Sequence, residues 1–97
     1  ITDLSFHGIR IELKSEPKKL MALDDCKRFV GQTASYVIAT GKRIGILCVL
    51  DCSPKDEPAL PAEENCGILM HPTKEGDVCI VTLIIQGNLP TPSDLSR

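Results

Sequence analysis

The dipeptide His7-Gly8 separates two short strand-like runs, and that separation constrains the chain more than any other feature. A two-residue reversal here pairs Phe6 with Ile9, Leu4 with Ile11, and Asp3 with Glu12. Side chains alternate along a strand. Leu4, Phe6, Ile9, Ile11 and Leu13 therefore share one face, while Asp3, Ser5, Arg10, Glu12 and Lys14 share the other. The expectation is a sheet with its apolar face packed and its charged face left for chemistry. Directly opposed residues hold their Cβ atoms about 5 Å apart, so Asp3 and Glu12 repel each other unless a cation lies between them. Oxygen ligands favour Mg2+ or Mn2+, and Lys14 could stabilise negative charge developing beside such an ion. The same spacing also suits a solvated hairpin face with cross-strand ion pairs.

After a polar stretch containing Pro17, the spacing predicts a helix over 23–40. Cys26, Phe29, Val30, Thr33, Ala34, Val37 and Ile38 form its apolar stripe. Asp24 or Asp25 can cap its start, and Gly41 stands where a left-handed residue ends a helix. Gln32 and Tyr36, four apart, share one side at the border of the stripe. Residues 43–50 are almost continuously apolar, which reads as a strand buried on both faces and reached by a parallel crossover, with Gly45 allowing close backbone approach. Residues 52–64 hold Pro54, Pro58 and Pro61 and read as a surface loop. Strands are expected over 65–71 and 78–86, the second internal because it is β-branched and apolar. Residues 87–97, with Pro90 and Pro92, read as a tail. The fold class is α/β, a mixed central sheet of about five strands with one main helix.

A chain of 97 residues supports a single domain. Its net charge of −2 provides no overall basic field, which counts against a standalone high-affinity binder of nucleic acid. Lys18-Lys19 and Lys27-Arg28 are the dense basic pairs and read as ordinary solvated surface. No apolar run approaches the roughly 20 residues that cross a bilayer, so no membrane partner is expected. Five cysteines are an odd number, and Cys48 and Cys79 lie inside apolar runs, as buried free thiols of a cytoplasmic protein would. A thiolate site on Cys48, Cys52, Cys66 and Cys79 lacks the tight paired spacing of strong metal sites. Asp51 and Lys55 follow a buried strand, where sites of α/β sheets often gather.

Asp3 followed by Glu12-Leu13-Lys14 resembles the motif of the PD-(D/E)XK nuclease superfamily, with Thr2 standing where that motif often has proline. Gln32-Thr33-Ala34-Ser35-Tyr36 resembles the Gln-x-x-x-Tyr motif that follows the Glu-x-Lys strand in the RecB-like branch. The resemblance covers the first half of the chain and finds compatible strands in the rest. It implies a restriction-endonuclease-like core lacking its first helix, hence a nuclease-like C-terminal fragment of a longer prokaryotic chain whose remainder completes the site. By the same resemblance, Asp3, Glu12 and the Leu13 carbonyl hold Mg2+ or Mn2+, Lys14 orients the attacking water, and Gln32 and Tyr36 position the DNA backbone. The implied activity is metal-dependent hydrolysis of phosphodiesters in DNA. The alternative is a non-catalytic, nuclease-derived binding module of a larger assembly, and either reading is compatible with a homo-oligomer.

Overall fold

The computed structural model describes residues 3–89, residue 3 by its backbone alone; residues 1, 2 and 90–97, which include most of the expected tail, lie outside the described residues. Strands β1 (Asp3–Phe6) and β2 (Ile9–Glu16) form a hairpin. A 3-10 turn, Leu23–Cys26, leads into helix α1 (Lys27–Ala39), followed by β3 (Ile44–Asp51), β4 (Cys66–Thr73) and β5 (Gly76–Gln86). All five strands form one sheet in the order β1-β2-β3-β5-β4. β2 and β5 run parallel to β3, while the β1 and β4 edges are antiparallel to their neighbours. The expected mixed five-strand α/β architecture is therefore present, with β5 internal.

The hairpin register is the one read from the sequence: Asp3 opposite Glu12, Leu4 opposite Ile11, Ser5 opposite Arg10, Phe6 opposite Ile9. His7 and Gly8 both adopt positive φ, at 52° and 80°, the backbone that lets a two-residue loop follow the strand twist. The helix starts later than expected because its first turn is tightened. The Asp25 carboxylate accepts the Ala22 N–H at 2.9 Å, and the Asp25 N–H reaches the Ala22 carbonyl at 3.0 Å. Its end matches the expectation, since Gly41 has φ 76°. The Gly41 N–H bonds to Ile38 O and the Lys42 N–H to Val37 O, satisfying carbonyls that a helix end leaves open.

One expectation is overturned: α1 covers the charged face of the hairpin, not the apolar one. Val30, Ala34 and Val37 of α1 pack with Leu47 and Val49 of β3 and with Val78, Ile80 and Ile84 of β5, all buried. In the parallel register Arg10 pairs with Gly45, Glu12 with Leu47 and Lys14 with Val49. Those three polar side chains must therefore point to the helix side. Gly45 makes the approach possible, because a methyl group there would overlap Val37 Cγ2. The opposite face stays open, with Leu4 51% and Phe6 65% exposed. Consequently α1 covers β3 on one face and not on both; on the other side Ile44 and Leu50 are exposed, although Cys48 between them is buried.

Asp51 pins the loops at the C-terminal end of the parallel strands. Its fully buried carboxylate accepts the Met21 N–H at 2.8 Å, the Ser53 hydroxyl at 2.6 Å and the Lys55 ammonium at 2.9 Å. Lys55 Nζ also reaches the carbonyls of Asp51 and Ser53, at 3.0 and 2.8 Å. Burial alone would raise the Asp51 pKa, but these donors outweigh it and bring it from 3.8 down to about 2. Asp51 and Lys55 thus hold the chain after β2 against the chain after β3, and they are structural.

Two outcomes follow for stability. Leu47→Ala, under the helix, should cost about 2–5 kcal/mol, whereas Ile68→Ala, at a position 71% exposed, should stay within about 0.5 kcal/mol. Urea unfolding checks both, and the reverse order would place the core on the other face. Because Asp51 titrates lower when folded, its contribution of about 2 kcal/mol is complete above pH 3.8 and is lost as pH falls toward 2. Asp51→Asn should remove that part of the acid dependence. At neutral pH it should cost about 3–5 kcal/mol by stranding the Lys55 ammonium. Urea midpoints of both proteins from neutral pH down to acid measure both effects.

Candidate functional site

Successive same-face positions of β2 set Arg10, Glu12 and Lys14 in a row beneath α1. Glu12 sits at the centre and is 1% exposed. Arg10 Nε lies 3.6 Å from its Oε2, and Lys14 Nζ lies 3.8 Å from its Oε1. These are charge pairs longer than a directed hydrogen bond. Among the described residues Oε2 accepts no hydrogen bond although it is buried, an arrangement that costs free energy.

The helix supplies the other half. Gln32 and Tyr36 lie one turn apart, and the Gln32 amide donates to the Tyr36 hydroxyl at 2.9 Å. Lys14 Nζ donates to Gln32 Oε1 at 3.4 Å, so the strand motif and the helix motif meet at this contact. Aromatic rings hold both cations. The Arg10 guanidinium lies 4.7 Å from the Tyr36 ring centroid, and Lys14 Nζ lies 5.5 Å from that of Phe29. The structure therefore brings together Glu12, Lys14, Gln32 and Tyr36.

Asp3 is opposite Glu12 by its backbone, while its side chain lies outside the described residues. Leu13 pairs with Cys48, and its side chain is on the open face; only its main chain belongs to the Glu12–Lys14 edge. Sequence reasoning placed Arg10 on this face without giving it a role, and gave Phe29 only a place in the stripe. The available signal for Arg10 was its parity with Glu12 and Lys14.

Among the described residues, no three His, Cys, Asp or Glu side chains are grouped to hold a metal. What the site does present is one buried carboxylate oxygen, Glu12 Oε2, that accepts no hydrogen bond among the described residues, on a residue paired through its backbone with Asp3. Carboxylate oxygens are the donors that a hard cation such as Mg2+ takes; here the described carboxylate stands between two side-chain cations. A thiolate site is less suited: burial pushes the Cys48 thiol up, and burial with the nearby Asp25 charge does the same to Cys26. Two cations around one carboxylate make the described part of the site suited to an anion such as a phosphate. A shallow hollow lined by Leu4, Ser5, Gly8, Arg10 and Thr40 adjoins it. A second hollow, lined by residues including Leu23, Lys27, Val30, Gly67 and Thr82, shares no residue with this group.

No helix among the described residues is long and apolar enough to cross a membrane. No protein-family model, curated protein or solved structure matches the chain.

Proposed function

We propose that the chain is a metal-dependent phosphodiester hydrolase acting on nucleic acid, most readily DNA, with its site between β2 and α1. The observation that carries this reading is the junction at Lys14, which stands 3.8 Å from Glu12 and 3.4 Å from Gln32. Residues singled out from two separate motifs meet there, as the resemblance to PD-(D/E)XK nucleases requires. Held by Glu12 and Asp3, with the Leu13 carbonyl as a further oxygen, Mg2+ or Mn2+ would supply an acidified water and a Lewis acid for charge on the phosphoryl oxygens.

The remaining chemistry belongs to the chain. Lys14 is only slightly exposed, with 11% of its side chain accessible, so its ammonium acts close to Glu12 with little screening. From there it orients the attacking water and stabilises negative charge as it develops. Gln32 fixes Lys14 through its carbonyl and Tyr36 through its amide. Gln32 and Tyr36 position groups. Local cations compensate for the acidic chain as a whole, since the substrate phosphate meets Lys14 and Arg10 and not the average surface.

Cleavage of plasmid and linear DNA with Mg2+ or Mn2+ tests the reading. Asp3→Ala, Glu12→Gln and Lys14→Met should each lower cutting about 100-fold or more, with circular dichroism unchanged. Glutamine and methionine keep the buried volume, so lost activity reports chemistry and not collapse. Undiminished cutting by the Glu12 or Lys14 variant would remove the site. A folded wild-type protein that cuts with neither metal would be a non-catalytic, nuclease-derived binding module instead.

A further inference from the structure

We propose that the sheet face opposite α1 is where two copies of this chain pair, sheet on sheet, as a two-fold dimer. The registers run one apolar row across all five strands of that face: Leu4, Ile11, Ile46, Val81 and Ile68 are successive cross-strand partners. Residues that point the same way on either side of the row are apolar too, and several are well exposed: Phe6 65%, Met70 54% and Ile85 53%. Among the described strand residues on this face the sole charge is Asp77, at the β4–β5 turn. An apolar face that spans a whole sheet is more than a monomer ordinarily leaves in water.

Size and charge favour a second copy as the occupant. With strands about 4.8 Å apart and same-face residues about 6.7 Å apart along each strand, the flat footprint is about 500 Å2, or about 1,000 Å2 over two copies. Side-chain relief adds to that figure, which already reaches the roughly 1,000 Å2 of a specific interface. A lone helix, about 10 Å across, would leave more than half of the five-strand width open. An equal sheet matches the width, and two sheets pack face to face about 10 Å apart. In a two-fold pairing the patch meets itself, and a patch without charge does so with no like-charge repulsion and no ion left unpaired. Residues 90–97 hold Leu95 as their one large apolar side chain, too little to cover the face. Glu12, Lys14, Gln32 and Tyr36 lie on the helix side, so pairing leaves them accessible in both copies.

Analytical ultracentrifugation over a dilution series tests the pairing. At about 100 μM, where a dimer of micromolar Kd is largely assembled, wild type should sediment at twice the 10.6 kDa of one chain. Phe6→Glu and Ile85→Glu each set a charge in the interface at positions exposed in the single chain. Both should sediment as monomers at the same concentration, with circular dichroism unchanged. Ser35→Glu, exposed on α1, should stay dimeric. Below the dissociation concentration the single chain unfolds alone, and there Ile68→Ala stays nearly neutral. A dimer that persists in both face variants, or a mass above two copies, would overturn the pairing on this face. A monomeric wild type would overturn it as well. Sedimentation of that monomer with phosphatidylcholine vesicles would then assign the face to lipid, and failure to do so to apolar helices of another protein. Neither result bears on DNA cleavage, which rests on the opposite face.

Discussion

Side-chain alternation makes strand register the constraint on which this molecule depends. A one-residue slip of β2 against β3 would move Arg10, Glu12 and Lys14 from beneath the helix to the open face. Positive φ at both turn residues fixes the hairpin, and the parallel pairing of Glu12 with Leu47 then carries the same parity into the core. The charged row and the apolar floor of the helix are thus one surface. α1 buries its stripe on β3 and β5 while its Gln32–Tyr36 border overhangs β2.

That arrangement explains what the sequence revealed and where it misled. The pairing of Asp3 with Glu12 was legible because turn length and alternation suffice to set it. Which face is covered was not legible, because alternation separates two faces without saying where a helix will lie. Charge on a strand usually marks solvent. Here β3 and β5 decided the matter, and both are apolar on both faces, so their patterns carry no preference. The useful residue was Gly45, which admits Val37. Turning that clue into a face required the parallel register of Arg10 with Gly45, set by a long-range pairing that no local pattern encodes.

Gln32 and Tyr36 were found by spacing, since helical neighbours four apart meet wherever the helix goes. Their contact with Lys14 depends on packing between elements and could only be expected from the resemblance. Asp51 and Lys55 show the opposite limit. They lie where functional groups often gather, yet every donor and acceptor between them is committed to tying loops. A position favoured for chemistry was used for anchorage, and only hydrogen-bond partners distinguish the two.

The contrast between the two buried carboxylates bears on function. Asp51 is satisfied by short, directed bonds from Met21, Ser53 and Lys55, and its depressed pKa reflects that satisfaction. Glu12 is equally buried but meets its cations at 3.6 and 3.8 Å, with one oxygen lacking any hydrogen bond among the described residues. A carboxylate kept in that condition is poor for stability, and well-packed apolar residues in place of such a charge group are often neutral or stabilising. The fold has the means to satisfy a buried acid, as Asp51 demonstrates. Capacity held open at Glu12, beside a positioned lysine and a hydrogen-bonded Gln–Tyr pair, is what a site needs if a ligand is to supply the missing partner.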